Sequence, residues 1–206
     1  MQEPQQARSR RTLLLLLSAA EELLEEKGLE GTTVPAIAER AGVSVGVVYR
    51  RFPDKDALLR AVYDRFFAEM SEKSRASVEM VSAMNVPLPR LARSVVTGIA
   101  QSYRRRRGML RALTQYVRTH HDPKFRKAAI RMNRQMMDDV ARLLLKHRAE
   151  MSHPDPETAV ELGLLSITTL VRQILIEEQS LHPYAPKDLE EELVRMFFGY
   201  VGISER

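Results

Sequence analysis

The fold is decided by residues 33–52, TVPAIAERAGVSVGVVYRRF. Thr33 can cap a short helix, and Pro35 suits the first turn of that helix, where its missing N–H costs nothing. Gly42 permits a tight turn, and Ser44 can cap a second short helix. The stretch therefore predicts two short helices that are joined by a glycine-containing turn.

Two helices joined in this way can form a helix-turn-helix, in which the second helix enters the major groove of DNA while the first packs behind it. The small and apolar residues that this packing requires occur at suitable offsets: Ile37, Ala38, Ala41, Gly42, Val43 and Val48. Val48 and Phe52 are expected to face inward. Helical spacing then turns four residues outward together, namely Val45, Gly46, Tyr49 and Arg50. These four form the expected DNA-reading face.

Each residue of this second helix suits a particular contact with DNA. Arg50 can form a bidentate contact with guanine or pair with a phosphate, and the Tyr49 hydroxyl can hydrogen-bond a phosphate. Val45 and Val47 can contact apolar base features such as the thymine methyl group. Gly46 carries no side chain that would hold the helix away from the groove. The expected partner is a double-stranded DNA operator.

Residues 28–62, GLEGTTVPAIAERAGVSVGVVYRRFPDKDALLRAV, resemble the DNA-binding head of the tetracycline-repressor (TetR) family. The resemblance covers roughly the first third of the chain and rests on Gly42, Val43, Ser44, Gly46, Tyr49, Phe52, Lys55, Leu58 and Leu59. It implies an all-helical homodimer of about nine helices per subunit that binds a palindromic operator. It also implies a transcriptional regulator, usually a repressor, that releases DNA when a small-molecule effector enters its C-terminal domain.

The resemblance also assigns roles by position. Thr33, Tyr49 and Lys55 match phosphate-contacting positions of the family, and Ser44 to Arg50 match its recognition helix. Val47 is a departure, because the family usually has Thr or Ser at this position. The absence of a polar side chain there affects which operator sequence is read.

The remainder of the chain also predicts an all-α fold without cofactors. A flexible arm is expected over residues 1–10, a helix-turn-helix domain over 11–55 and a ligand-binding and dimerisation domain over 56–206. The first helix is expected at about 11–27, with Gly28 after it, and a long helix begins after Asp54. Later helices are expected at about 90–107, 109–119, 123–149, 155–179 and 187–203.

The last two helices are apolar on more than one face, which favours a second buried surface in addition to the core. A four-helix dimer interface is predicted from Leu164, Val171, Leu175, Leu193, Phe197 and Tyr200. The alternative is that both helices lie in the core of a monomer. An adaptable effector pocket is predicted from Met109, Tyr116, Phe125, Met132, Met136, Leu165, Arg172 and Gln173, each of which suits a plain core or surface position as well.

Charge is distributed unevenly along the chain. Residues 1–60 contain nine basic and nine acidic residues, whereas residues 90–149 contain sixteen basic and three acidic, and residues 150–206 contain four and eleven. The basic segment can bind an anionic ligand, form a solvated surface or pair with the acidic segment. Near the N-terminus, Arg8, Arg10 and Arg11 form either a DNA-contacting arm or a solvated tail.

Other functional classes receive little support. The chain has no cysteine, which excludes thiol chemistry, and no catalytic arrangement is recognisable, so an enzyme is not expected. His120, His121 and Asp122 resemble a metal cluster, but the end of a helix explains them better, and no metal site is predicted. No apolar stretch suggests a membrane partner, and a cytoplasmic protein is expected. The remaining alternative is a helical protein-interaction module or small-molecule binder without DNA affinity, which a gel shift would distinguish.

Overall fold

The computed structural model describes residues 5–120, 122–177 and 188–204. These residues contain helices and no β-strand, which confirms the all-α prediction. The helices are α1 (Gln5–Gly31), α2 (Val34–Arg40), α3 (Val45–Arg51), α4 (Lys55–Ser82), α5 (Leu88–Arg105), α6 (Arg107–Thr119), α7 (Pro123–Leu145), α8 (Pro156–Leu175) and α9 (Leu189–Val201). The ends expected for the last two helices at 178–179 and 187 lie outside the described residues.

Helix α1 is longer at its N-terminal end than expected. The residues predicted to form its apolar stripe are buried: Leu16, Leu17, Ala20, Leu23 and Leu24, with Leu13 half-buried. Gly28 has a φ of 67° and a ψ of −170°, so the helical backbone is interrupted at the predicted residue. Residues 5–10 were expected to form a loose arm but are helical, in keeping with the favourable helix propensity of Gln, Ala and Arg. Residues 1–4 lie outside the described part.

The helix-turn-helix forms from local signals. The Thr33 hydroxyl oxygen accepts a hydrogen bond from Ala36 N (3.3 Å) at the start of α2. Gly42 has a φ of 67°, a left-handed conformation that costs a side-chain-bearing residue roughly 1–2 kcal/mol. At this turn, Val43 N donates to the carbonyl oxygen of Ala38 (3.0 Å). These contacts set the short connection between α2 and α3.

The contacts between residues divide the chain into two compact units. Within the described ranges, the first unit contains residues 5–69 and 108–126, and the second contains residues 70–107 and those from 127 onward. The first unit is therefore larger than a head of residues 11–55. It includes the N-terminal half of α4 and nearly all of α6.

Helix α6 belongs to the first unit because its beginning packs against α1. The Glu25 carboxylate accepts hydrogen bonds from Gly108 N (2.9 Å) and Met109 N (2.8 Å), which satisfies two backbone donors at the start of α6. A Cβ atom on Gly108 would lie 2.2 Å from the carbonyl oxygen of Glu25. Only glycine allows this close approach of the two backbones.

The second unit has its core among α5, α8 and α9. Leu91, Val96, Leu164, Leu193 and Phe197 are at most 3% exposed. A Cβ atom on Gly163 would lie 2.8 Å from the Phe197 ring, so α8 and α9 pack closely at this point.

Helix α8 is long and apolar enough to cross a membrane by length and composition alone, although the sequence showed no stretch that suggested this. Such a test is also passed by core helices of globular proteins. One face of α8 is buried in the core described above. Its apolar character is thus partly explained by packing within the second unit.

Candidate nucleic-acid interface

Helix α3 presents the predicted face to solvent. Val48 is 1% exposed and holds α3 against the rest of the head, whereas Tyr49 is 54% exposed and Val45 is 38% exposed. Gly46 and Arg50 are exposed as well. The polar tips of Tyr49 and Arg50 are therefore available to a partner that lies across this face.

Val47 is half-buried beside that face. It has no polar atom in its side chain, so it can add only apolar contact to whatever Val45 and Tyr49 touch. This position consequently offers no hydrogen bond to a base or a phosphate.

Two hydroxyl residues flank the short helices, and the structure gives them different roles. Thr33 caps α2 through its oxygen, which leaves its hydroxyl hydrogen free to donate. Ser44 has the extended backbone of a helix cap, but its side chain makes no capping hydrogen bond to α3, in contrast to the expected cap. Both residues are exposed, Thr33 at the start of α2 and Ser44 at the start of α3.

Lys55 is tied into the head by a contact that the sequence did not predict. Its ammonium donates a hydrogen bond to the carbonyl oxygen of Leu29 (3.2 Å), and the side chain is half-buried. This bond joins the start of α4 to the last turn of α1, just after the interruption at Gly28. Because an ammonium has three donors, Lys55 retains the capacity to bind a phosphate as well.

The position of α2 is fixed by charged contacts to α1. The Arg40 guanidinium donates hydrogen bonds to the Glu26 carboxylate at 2.8 and 3.1 Å and to Glu22 at 3.2 Å. The hydrogen bond from Arg40 lowers the pKa of Glu26 and raises the pKa of Arg40 itself. No local sequence signal identifies these pairs, since the partners lie 14 and 18 positions apart.

Two family models match this chain. Residues 16–62 match the bacterial regulatory proteins of the tetR family, and residues 87–200 match the tetracyclin repressor-like C-terminal domain. The second match alone covers more than half of the chain. The chain belongs to the TetR family. The predicted helix-turn-helix, residues 33–52, lies within the part that matches the N-terminal model of these bacterial regulatory proteins.

Curated relatives include the HTH-type transcriptional regulator BetI of Burkholderia cenocepacia (strain HI2424). It is 30% identical over 112 residues, which are 54% of this chain and 57% of that protein. BetI of Burkholderia ambifaria (strain MC40-6) is 46% identical over 46 residues, 22% of this chain and 24% of its own. The chain thus spans a little over half the length of the first of these relatives.

Solved structures share the fold. A TetR transcription regulator from Haloarcula marismortui ATCC 43049 has a TM-score of 0.67 at 15% identity, with 93% of this chain and 96% of that chain covered. The fatty acid degradation regulator FadR from Bacillus halodurans has a TM-score of 0.66 at 14% identity, with 99% and 100% covered. At these identities the likeness concerns the fold alone.

The predicted effector residues of this TetR-family chain are divided between the two units. Met109, Tyr116 and Phe125 are buried in the first unit, with the Tyr116 and Phe125 ring centroids 5.3 Å apart. The remaining residues belong to the second unit: Met132, Met136 and Gln173 are half-buried, and Leu165 and Arg172 are exposed. Among these residues, the structure shows a direct contact between the rings of Tyr116 and Phe125.

Tyr116 and Phe125 belong to an aromatic cluster that also contains Tyr63. The Tyr63 ring lies 5.3 Å from Tyr116 and 5.7 Å from Phe125, measured between centroids. The hydroxyls of Tyr63 and Tyr116 are buried without a hydrogen-bond partner among the described residues. Burial raises the pKa of both phenols, so both stay neutral at ordinary pH. Sequence reasoning included Tyr116 but missed Tyr63.

Most of the residues predicted to form a dimer interface are buried within the chain itself. Leu164, Val171, Leu193 and Phe197 are at most 3% exposed because they form the core of the second unit. Leu175 is half-buried beside that core, and Tyr200 is 40% exposed. The exposed large apolar residues of α8 and α9 share only Tyr200 with the predicted set: Leu162, Leu165, Leu170, Met196 and Tyr200. The sequence showed that both helices are apolar on two faces, but it did not show which face turns inward.

The basic segment pairs with the acidic one at several points. Arg93 contacts Glu191 (2.7 Å), and Arg104 contacts Glu190 (3.0 Å), which joins α5 to α9. Of the three interpretations of this segment, charge pairing with residues 150–206 thus accounts for part of its arginines. These pairs lie within the second unit.

The histidine cluster has structural contacts. His120 stacks on Tyr116 with centroids 4.2 Å apart, and its Nε2 lies 3.3 Å from the Asp56 carboxylate. The Asp122 carboxylate caps α7 by accepting from the backbone N–H of Phe125 (3.0 Å) and Lys124 (3.0 Å), which lowers the pKa of Asp122. His121 lies outside the described residues, and the described residues contain no group of three or more metal-ligating side chains.

Proposed function

We propose that the chain is a homodimeric cytoplasmic repressor that binds a palindromic operator and releases it when a small molecule binds. The observation that carries this proposal is the outward face of α3, where Tyr49 and Arg50 extend from a helix that Val48 anchors. A helix of seven residues is about 10 Å long, which fits a major groove about 12 Å wide. Two such helices, one from each subunit, read two half-sites.

The DNA contacts divide into two kinds. Arg50 reads a base edge or pairs with the adjacent phosphate, and Val45 and Val47 supply apolar contact to bases. Thr33, Ser44, Tyr49 and Lys55 position the head on phosphates, with Gly46 allowing the helix to approach closely. The chain therefore reads sequence through few polar groups.

The experiment that tests this function is a selection of the purified protein against random DNA duplexes. It is repeated in the presence of a fatty-acyl thioester and of a panel of lipophilic cations. Recovery of a palindromic site, and its loss with one compound, supports both the operator and the effector response. Recovery of no site at low salt would contradict DNA binding.

Tyr49→Ala tests the reading face directly. We expect operator binding to weaken by on the order of 1–3 kcal/mol while the fold is retained, because the side chain is mostly exposed. Fluorescence anisotropy on the selected operator measures the effect, and Met80→Ala, also at an exposed position, is the control. Unchanged affinity in Tyr49→Ala would remove Tyr49 from the interface.

The dimer is proposed to form through the outward faces of α8 and α9. Leu165 and Leu162 share one side of α8 at a spacing of three residues, and Met196 and Tyr200 share one side of α9 at a spacing of four. Exposed apolar faces of this kind mark an interaction surface. A second copy of the chain is the occupant, because two helices from each subunit then bury all of these residues in a four-helix interface.

Leu165→Glu is expected to produce a monomer. Leu165 is 60% exposed in the subunit, so the change should leave the subunit folded, but a carboxylate in the interface must lose its hydration. We expect the dissociation constant of the dimer to rise about a hundredfold or more. This corresponds to a loss of about 2.8 kcal/mol in the free energy of association, since about 1.4 kcal/mol corresponds to tenfold. Sedimentation equilibrium measures it, with Ile130→Glu, at a position 56% exposed on α7, as control. A Leu165→Glu protein that dimerises as wild type does would place the interface elsewhere.

The effector is proposed to contact the cluster of Met109, Tyr116 and Phe125. All three are buried in the first unit, where the Tyr116 and Phe125 rings contact each other. The buried Tyr116 hydroxyl has no partner among the described residues, so it can bind a polar group of a ligand. The other predicted residues, Met132, Met136, Leu165, Arg172 and Gln173, belong to the second unit and are half-buried or exposed, so they are less favoured.

A further inference from the structure

The first two turns of α1 carry three arginines for which the described part of the chain shows no acidic partner. Arg8, Arg10 and Arg11 are exposed, and none of them forms an ion pair with a described residue. Residues 5–20 contain no Asp or Glu. This segment, residues 5–11, is called the N-terminal arm below. It is a local concentration of positive charge in a head whose first sixty residues are balanced.

The N-terminal arm is attached to the recognition helix. The Arg51 guanidinium donates one hydrogen bond to the carbonyl oxygen of Ser9 (2.7 Å) and another to its hydroxyl (2.8 Å). Arg51 is the last residue of α3 and follows directly after Arg50 of the reading face. The arm is therefore held at the C-terminal end of the helix that enters the groove.

The size of the recognition helix determines what lies beside that end. Helix α3 is about 10 Å long, slightly less than the width of the major groove, so its ends come close to the phosphate rows that border the groove. Ser9 faces α3, and helical spacing places Arg8 and Arg10 on either side of it and Arg11 further round. Arg8 and Arg10 thus point to the two sides of the contact with Arg51, from which long guanidinium side chains can reach phosphates beside α3, whereas Arg11 lies on the far side of the helix and adds to the charge of the arm.

We propose that the N-terminal arm is a second DNA-binding element, in which Arg8 and Arg10 bind backbone phosphates beside the groove that α3 reads and Arg11 adds to the charge of the arm. Arg51 is a positioning residue that holds the arm in place through Ser9. The proposal rests on the proposed DNA-binding function. The N-terminal arm adds affinity for DNA that is independent of base sequence, whereas Arg50 contributes to sequence reading.

The test compares two triple variants that lose the same charge. The first is Arg8→Gln/Arg10→Gln/Arg11→Gln, and the control is Arg126→Gln/Arg131→Gln/Arg134→Gln, three exposed positions on α7. The dissociation constant on the selected operator and on an unrelated duplex is measured over a series of salt concentrations. Far-UV circular dichroism and thermal unfolding establish that each variant is folded.

We expect the arm variant to have a shallower dependence of log affinity on log salt, by about 0.9 for each phosphate that the arm no longer neutralises. With three arginines in each of two subunits, the slope should decrease by roughly 2 to 5 on both duplexes, and the α7 control should keep the wild-type slope. An unchanged slope in the arm variant, with wild-type protein binding normally, would overturn the arm proposal alone. Failure of the wild-type protein to bind any duplex would overturn the proposed function and the arm together.

Arg51→Met tests the positioning role. In the wild-type background it should reduce both affinity and salt slope, and in the arm variant it should have little further effect, because its action passes through the arm. Equal effects of Arg51→Met in both backgrounds would mean that Arg51 binds DNA itself, and would overturn its assignment as a positioning residue.

Discussion

Gly108→Ala is expected to destabilise the protein by about 2–4 kcal/mol. The added Cβ atom would lie 2.2 Å from the carbonyl oxygen of Glu25 and 2.8 Å from its Cα, and backbone atoms cannot rotate away as a side chain can. The start of α6 must therefore move away from α1. Overpacking of this kind costs about 1–3 kcal/mol, and the loss of capping by the Glu25 carboxylate adds about 1 kcal/mol.

The matched control for this change is Gly98→Ala. Gly98 lies inside α5, and a Cβ atom there would have no atom within 4 Å. Alanine favours a helix by about 0.8–1.0 kcal/mol relative to glycine, so this variant should be slightly more stable than wild type. Urea unfolding monitored by circular dichroism measures both. If the two variants were equally stable, the close contact between Glu25 and Gly108 would not exist in solution.

Arg50→Ala is expected to weaken operator binding by about 1–3 kcal/mol for each subunit, or about 5- to 150-fold. The guanidinium is exposed on the reading face and is the group in α3 best suited to a bidentate contact with guanine. The effect should be concentrated at one base pair in each half-site. The Arg50→Ala protein should then bind operators with the original and with a substituted base pair at that position with equal affinity.

Arg131→Ala is the control for Arg50→Ala, since it removes the same charge from an exposed position in the second unit. We expect it to bind the operator as wild type does. Affinities come from anisotropy titrations on operators that carry each base at each position. An Arg50→Ala protein with wild-type affinity and unchanged base preference would show that Arg50 does not contact DNA.

The sequence predicted the local features of the head well. The cap at Thr33, the turn at Gly42 and the inward direction of Val48 follow from residue type and helical spacing, which are properties of neighbouring residues. The structure agrees with all three. Short-range signals therefore sufficed for these three features, whereas the missing Ser44 cap and the bonds of Arg40 to α1 were not predicted.

Contacts between distant residues were beyond this reasoning. Glu25 binds the backbone of Gly108, and Arg51 binds Ser9, across 83 and 42 positions. Many exposed carboxylates and guanidiniums occur in the chain, and nothing in their local sequence marks these as paired. The contact that holds Ser9 against Arg51 was therefore not anticipated when residues 1–10 were predicted to form a loose arm.

The sequence could not show which apolar face of α8 and α9 lies in the core, for another physical reason. Both helices have apolar residues on two sides. Burial in the core and burial against a second copy both require an apolar face, so the sequence pattern does not distinguish them. Only the position of the neighbouring helices separates Leu164, which is buried, from Leu165, which is exposed. The same ambiguity affected the predicted effector residues.

The contact of Glu25 with the start of α6 limits how domains can be exchanged between regulators. Because the first unit is assembled from residues up to 69 and from 108–126, a cut after α3 or within α4 removes a helix whose first turn is bonded to α1. A chimera that transplants only the N-terminal third onto another regulator would carry an incomplete module. The transferable module is discontinuous in sequence, and a working chimera must carry both of its segments.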